Sequence, residues 1–264
     1  MEFKLNNKLK VSVLVANYNN QKYISQCIKS IINQKYKNIE IIFHDDCSQD
    51  NSIKEIKNFK KIKIIKNKKK TITGSFNQLA AYKRMFKISK GEIIFLLDSD
   101  DYFHRDKVYN VIKKYISNPK LKAIFDLPIL KYNNKQNIVK NKKKIIKNFW
   151  PYIPPQSCIS VRRNELNKIF KHIHFNKFPD IWMDFRIGIY LKHTIKKFFI
   201  LENNLTYYRK TSDGASSKYK FLSKNWWKRR WQAHEYVRYY FKINNIIHQK
   251  NLDFYLTYLI TKIM

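Results

Sequence analysis

Four short apolar runs, each separated from the next by a stretch of helical period, occupy the first hundred residues. No other feature limits the fold as tightly. Val11 to Ala16 is β-branched and almost free of polar residues, as a strand buried on both faces is. Tyr23, Ile24, Cys27, Ile28, Ile31 and Ile32 follow at the paired spacing of a helix with one buried stripe. Ile39 to His44 reads as a second strand, a short helix falls near 50–58, and Ile62 to Ile65 is a third strand. A helix from about Ser75 to Ser89, closed by Gly91 as a C-terminal cap, leads into a fourth strand, Glu92 to Leu97, that runs directly into Asp98. Alternation at this spacing makes right-handed βαβ units and a parallel sheet. Such sheets bind ligands beyond the carboxyl ends of their strands. There the sequence places Asn17-Tyr18-Asn19, Asp45-Asp46 and Asp98-Ser99-Asp100-Asp101.

After Asp101 the pattern is mixed. A helix is expected near 105–116, a strand from Leu121 to Leu127, and a loop or hairpin over the basic, Asn-rich stretch 131–147. Prolines 151, 154 and 155 precede a strand from Ser157 to Val161. Asp180 to His193 reads as a helix with Asp180 as its N-cap, and a basic, aromatic helix runs from Phe221 towards 245. There is no internal repeat.

The chemistry is narrowed by what is scarce. Glycine occurs only at 74, 91, 188 and 214, which excludes both a P-loop and a GxGxxG dinucleotide fingerprint. A phosphate bound at this carboxylate-rich edge therefore needs a countercharge other than a backbone cradle. Mn²⁺ or Mg²⁺ is the natural choice, since both take carboxylate, phosphate and water oxygens. The cluster Asp98 to Asp101 offers such oxygens; alternatively Asp100 or Asp101 caps the helix that starts near Arg105. Cys27, Cys47 and Cys158 are too far apart for a zinc ribbon or a disulfide framework, so a reducing, cytoplasmic compartment is expected. His172, His174 and His193 have neither a cysteine partner nor an HExxH arrangement and read as surface residues. No signal-peptide pattern opens the sequence, and no eighteen consecutive apolar residues offer a membrane span.

The net charge is +35. It reads either as a footprint for a polyanion, nucleic acid or anionic membrane, or as the Lys, Asn and Ile bias of AT-rich coding, the latter especially at 60–70 and 140–147. Disorder is excluded by a hydrophobic content of 44% with 16% aromatics.

The motifs at the strand ends carry a resemblance. Val11 to Asn20, Ile28 to Gln34 and Asp45 to Ser52 resemble the opening blocks of family 2 glycosyltransferases: a strand ending P-T/N-Y-N, a helix ending S-I-L-N-Q, and a D-D-G-S-x-D-x-S turn. Gly91 to Asp101 resembles the family's G-E-Y-I-x-F-L-D-x-D-D segment. The resemblance is strong over 10–105 and traceable to about 217. It implies a GT-A fold: an α/β, Rossmann-like, mostly parallel sheet flanked by helices. Here that is a catalytic domain over 1–217, with a nucleotide-sugar half at about 9–101 and an acceptor half at 102–217, and a basic helical tail at 218–264. It further implies an inverting transfer from a nucleotide-sugar donor. Ala16 and Tyr18 would line the base pocket with Asn17 and Asn19 in the same strand-end block. Asp46 would accept from the base, with Asp45 supporting its turn. Asp98 would touch ribose or metal, and Asp100 would be the principal metal ligand.

Ala16 stands for the family's proline, Cys47 for a glycine, and Met183 for a common acidic residue. A positive φ at Cys47 would be costly. The family's Arg-Asn or Lys-Asn pair after a glycine is not clear after Gly74, where Asn77 and Gln78 are the nearest polar residues. Asp184, in Phe178 to Arg186, is carried over as the catalytic base, with surface carboxylate as its alternative and Asp180 as runner-up. Tyr207-Tyr208-Arg209-Lys210 with Ser216 and Ser217 resembles the segment that closes the domain, where Arg209 either holds the diphosphate or is ordinary surface charge.

The tail offers two readings. Trp226, Trp227 and Trp231 among Lys228, Arg229 and Arg230 suit an amphipathic helix on an anionic membrane through 221–245, or a helix packed on the domain. The expected acceptor is a saccharide or lipid-linked saccharide, at the cytoplasmic face of the membrane, in surface-polysaccharide synthesis. No nucleic acid is expected. The competing readings are a sugar-nucleotide pyrophosphorylase, whose Gly-rich, Arg-containing loop is missing at Ala16 to Asn19, a basic nucleic-acid-binding protein, and a non-catalytic relative.

Overall fold

The computed structural model describes residues 9–69, 73–132, 135–140, 150–151, 153–173, 176–211, 214, 217–247 and 250–264. The expectations placed on 141–147, His174 and Ser216 lie outside those residues.

The alternation read from the sequence is present: β1 (Val11–Asn17), α1 (Gln21–Ile32), β2 (Ile39–Asp45), α2 (Ser52–Lys57), β3 (Ile62–Lys66), α3 (Gly74–Ile88) and β4 (Ile93–Asp98). There follow β5 (Tyr102–Phe103), α4 (Lys107–Ser117), β6 (Ala123–Tyr132), β7 (Lys135–Ile138), β8 (Ile159–Arg162), α5 (Arg163–His172), α6 (Met183–Tyr190), β9 (Phe198–Arg209), α7 (Lys224–Ile243) and α8 (Leu252–Ile263). The strands form one sheet in the order β3-β2-β1-β4-β8-β6-β9-β5, with β7 paired to β6. Parallel pairings of β1 with β2 and β4, β2 with β3, and β6 with β9 carry most of the ladder. The antiparallel strands gather beyond β4. This is the expected α/β, mostly parallel sheet.

The period of the central strands sorts their side chains onto two faces. Val11, Val13 and Val15 pack with Ile24, Ile28 and Ile31 of α1 and with Val108 and Ile112 of α4. Leu14, Ile94 and Leu96 pack on the other face with Leu79 and Tyr82 of α3, Ile187 of α6, and Tyr236, Val237 and Tyr240 of α7. Each such side chain contributes about 1.5–3 kcal/mol by leaving water. The apolar side of α7 is thus part of the main core. Its Trp231 ring lies 5.4 Å from Phe254 and from Tyr258 of α8.

Three local expectations are corrected. Gly91 does not cap α3, which ends at Ile88 with Ser89 in an extended C-cap, and no glycine among the described residues has positive φ. Gly91 is glycine because the chain passes too close to β1: a Cβ there would sit 2.4 Å from the Ser12 amide nitrogen. Asp180 is not an N-cap either, since α6 begins at Met183 behind Trp182. Asp180 instead ties α7 to the domain, accepting from Gln232 Nε2 at 2.7 Å and from the Tyr219 hydroxyl at 2.8 Å. Ser157 lies in a 3₁₀ turn, Gln156–Cys158, ahead of β8 rather than within it. The basic stretch after Leu130 does form a hairpin as far as it is described: β6 runs on through Pro128 and pairs antiparallel with β7, Ile129 opposite Ile138.

Candidate active site

The parallel strands end in step. Ala16 of β1 lies opposite Asp98 of β4, and Asn17 opposite Asp45 of β2, so three polar strand ends meet at one edge. Asn17 is buried and faces its neighbour: its Nδ2 donates to Asp45 Oδ1 at 2.9 Å and to Ser48 Oγ at 3.1 Å. Asp45 also accepts from the Ser48 hydroxyl at 2.6 Å and the Ser48 amide at 3.0 Å, which closes the turn after β2. Asp46 accepts from Asn67 Nδ2 at 2.8 Å. Asn19, at φ 51°, accepts from the Gln49 amide through Oδ1. Between them Ala16 is half-buried and Tyr18 is 45% exposed. Cys47, which stands where the family has glycine, does have a positive φ, 60°, and its thiol donates to the Asn67 carbonyl at 3.3 Å. That bond offsets part of the strain of about 1–3 kcal/mol that a side chain carries there.

The acidic cluster divides by partner. Asp101 is fully buried and structural: its carboxylate accepts from the Ser157 hydroxyl at 2.6 Å and from the Arg209 amide at 2.8 Å, joining β4 to the end of β9. Asp98 is half-buried at the strand end, accepting from the Tyr82 hydroxyl at 3.1 Å and from Gln78 Nε2 at 3.3 Å. Burial, reinforced by the negative charge of Asp100 and then of Asp184, overrides those hydrogen bonds and pushes the Asp98 carboxyl up to about 7. Arg209 lies over both Tyr23 and Tyr102, at 4.8 and 4.7 Å from their ring centroids. Its guanidinium donates to the Asp100 carbonyl and to Gln26 Oε1.

Asp184 sits in the first turn of α6, half-buried. Burial raises its pKa, opposed chiefly by the charge of Arg229 from α7. Asp98 and the Tyr208 phenol both feel its charge, so the structure brings Asp184 into the field of the β4 cluster from across the chain. Asp98, Asp100, Asp184 and Arg209 thus gather at one place, with Ala16, Asn17, Tyr18, Asn19, Asp45 and Asp46 along the same edge. The sequence reading missed Tyr82, which reaches Asp98 from a buried helix position, and left Gln78 without a role. It also missed the support beneath the cluster: Lys107 of α4 pairs with Asp126 of β6 at 2.8 Å, both side chains 0% exposed. The Lys107 ammonium also donates to Ser157 O at 2.6 Å and Thr206 Oγ1 at 2.5 Å. An isolated buried Lys and a distant buried Asp leave no periodic signal.

Among the described residues no group of three or more His, Cys, Asp or Glu forms a metal cage. What the edge offers is the pair Asp98 and Asp100. No helix of the described residues is long and apolar enough to cross a membrane.

A sequence profile described as Glycosyl transferase family 2 matches residues 12–183. A glycosyltransferase of Nostoc sp. is 30% identical over 216 residues, 76% of this chain and 65% of its own length. WfaP of Escherichia coli, a UDP-Glc:alpha-D-GlcNAc-diphosphoundecaprenol beta-1,3-glucosyltransferase, is 39% identical over 102 residues, 39% of each chain. Of solved structures, Staphylococcus aureus TarS 1–349 in complex with UDP-GlcNAc superimposes with a TM-score of 0.61 at 18% identity, covering 85% of this chain and 65% of that one. Mannosyltransferase PcManGT of Pyrobaculum calidifontis, in complex with GDP-Man and Mn²⁺, does so with a TM-score of 0.59 at 14% identity, covering 96% and 69%. At these identities the two structures speak for the GT-A fold. The chain spans 65% and 39% of the lengths of the two relatives.

Proposed function

The chain belongs to glycosyl transferase family 2, and on that footing we propose that it moves a sugar, with inversion, from a nucleotide diphosphate donor to a hydroxyl of a saccharide or lipid-linked saccharide acceptor in cell-surface polysaccharide synthesis. One observation carries the reading: at the carboxyl end of β4, burial and the charge of Asp100 hold Asp98 at about 7. Placing two carboxylates this close in a half-buried edge costs folding energy, which a bound ligand of opposite charge would offset.

The donor set fits Mn²⁺ or Mg²⁺, being hard carboxylate oxygen with no thiolate or imidazole. Asp100, with Asp98, would hold the ion, whose charge would stabilise the departing nucleoside diphosphate. Ala16 and Tyr18 would flank the nucleobase, Asp46 would accept from it, and the turn built by Asn17, Asp45 and Asn19 would set their positions. Arg209, lying over two tyrosines, would add positive charge at the diphosphate. Asp184 would take the proton of the acceptor hydroxyl as its oxygen bonds to the anomeric carbon and the bond to the diphosphate oxygen breaks on the opposite side. A carboxylate with a raised pKa is the better base for that task. Attachment to the inner face of the cytoplasmic membrane would draw on the exposed charge of Lys224, Lys228, Arg238 and Lys242, because the apolar side of α7 is in the core.

Calorimetric titration with UDP-, GDP-, dTDP- and CMP-sugars, with and without Mn²⁺, tests this. One donor class should bind in a Mn²⁺-dependent manner, and Asp100→Ala should lose the Mn²⁺-dependent part of its affinity. Wild-type donor affinity of Asp100→Ala in Mn²⁺ would refute the metal role.

A further inference from the structure

A cavity of about 630 Å³ opens between the end of β9 and the start of α7. Two of its lining residues connect it to the carboxylates. Phe185 follows Asp184 in the first turn of α6, and the Tyr208 phenol is pushed up by burial and by the charges of Asp101, Asp100, Asp98 and Asp184. Arg229, also in the lining, is the charge that chiefly opposes the raised pKa of Asp184, so the cavity lies within the electrostatic reach of Asp184.

The lining has a definite chemistry. Trp150, Phe185, Tyr208, Tyr219 and Trp226 supply aromatic surface, Lys210, Lys220, Arg229 and Arg230 supply positive charge, and no carboxylate contributes. Arg230 is committed to the protein: it donates twice to Asp253 Oδ1, at 2.8 and 2.6 Å, and lies 5.5 and 5.0 Å from the Trp150 and Trp226 rings. Lys210, whose ammonium lies 5.1 Å from the Tyr132 ring, Lys220 and Arg229 form no ion pair with a described carboxylate. Arg229 lies over Tyr219, 4.7 Å from its centroid, and Tyr219 is fixed through Asp180. Three such cations in one lining exceed what one carboxylate on a ligand would balance. They suit phosphate, which accepts from several donors at once. Aromatic faces beside them suit the apolar face of a sugar ring. A volume of about 630 Å³ falls in the range of small-molecule sites and is far below what a bilayer or a duplex requires.

We infer that this cavity is the acceptor subsite and that it selects a phosphate-bearing saccharide, with the sugar against the aromatic wall and the phosphate on Lys210, Lys220 and Arg229. This rests on the transferase reading above and gives its acceptor a chemical class. It also gives α7 a part in the site, since Trp226 and Arg229 come from that helix.

The test uses the whole chain with saturating nucleotide-sugar and Mn²⁺. The fluorescence of Trp150 and Trp226 is titrated with three probes of N-acetylglucosamine: its octyl diphosphate ester, its glycerol phosphodiester and its neutral octyl glycoside. At low salt at least one phosphate probe should bind on the order of 10-fold or more tightly than the neutral glycoside, and the advantage should shrink as salt screens it. Preference for the diphosphate points to a lipid-linked acceptor, and preference for the phosphodiester to a phosphate-linked polymer. Lys210→Gln with Lys220→Gln, both exposed and safe for folding, should erase the phosphate advantage, and in a transfer assay should raise KM for the phosphate acceptor with little change in kcat. Equal affinity for the neutral probe, a phosphate advantage that survives in the double variant, or no response to any probe would overturn the inference. Donor calorimetry on the same samples reports separately on the transferase reading: bound donor with no phosphate preference defeats the acceptor claim alone.

Discussion

Asp98 and Asp126 are the same residue type, two strands apart in one sheet and joined through Ser157, yet they are treated in opposite ways. Ser157 accepts from the Asp98 amide through Oγ and from Lys107 through its carbonyl. Burial raises the pKa of both carboxyls. At Asp126 the effect is countered by Lys107 at 2.8 Å and by the Thr206 hydroxyl at 2.6 Å, so the charge is enclosed and satisfied. At Asp98 the next charge is Asp100, which adds to burial and brings the group to about 7. One carboxylate is neutralised inside the scaffold, and the other faces a second negative charge at the edge of the sheet. Carboxylates of the first kind should fail in stability when altered, and those of the second kind in function.

The sharpest test of the first kind is Lys107→Met, which leaves Asp126 buried without its cation. It should destabilise the fold by about 3–5 kcal/mol in urea denaturation, and adding Asp126→Leu should restore much of that. A mild effect of Lys107→Met alone would place the pair among exposed ion pairs and dissolve the contrast.

For the second kind, Asp184→Asn should keep Mn²⁺-dependent donor binding and lower turnover by about 10²-fold or more, because a base is needed only as the acceptor oxygen attacks. Near-normal turnover would send the role elsewhere. Asp98→Asn should go further in separating the kinds. It keeps the shape and the bonds from Tyr82 and Gln78 while removing the repulsion, so stability of the ligand-free protein should rise by about 1 kcal/mol as donor affinity falls. A loss of stability would mean that Asp98 is scaffold after all.

Glu40 supplies the smallest and most local check. It is partly buried at the start of β2, which by itself would raise its pKa. Bonds from the Ser12 hydroxyl, the Lys90 amide and Lys63 more than reverse that and bring it to about 2, against an ordinary 4.5. The folded state then holds fewer protons than the unfolded state between those values. Its contribution is fully present above about pH 4.5 and is lost as pH falls towards 2. Glu40→Gln should flatten that part of the acid-denaturation curve, and an unchanged curve would remove Glu40 from the scaffold class.

The first hundred residues were legible because their signals are local. β1, β2 and β4 are largely buried and so read as nearly unbroken apolar runs, with polar ends following within two or three residues, while β3 is the exposed edge strand. The rest of the sheet is not local. β9 carries Glu202, Asn203 and Asn204 in its middle and pairs with β6, about eighty residues earlier, so no period announces it. α5, with Arg163, Asn164 and Glu165 in its first turn, likewise passed without notice. Gly91 looked like a cap because a glycine after a helix usually is one; only the approach of β1 gives the real reason.

By itself the sequence determined the family, the order of strands and helices to Asp98, and the identity of the acidic edge, because each depends on neighbours in the chain and on hydrophobic period. Tertiary structure alone decided which carboxylates are scaffold and which are exposed to one another's charge. It also decided that α7 spends its apolar face on the core while lending Trp226 and Arg229 to a cavity lined by Phe185 of α6. Burial and Coulomb interaction depend on distance through space, and Asp184 comes within reach of Asp98 on one side and Arg229 on the other only when the sheet has closed around them.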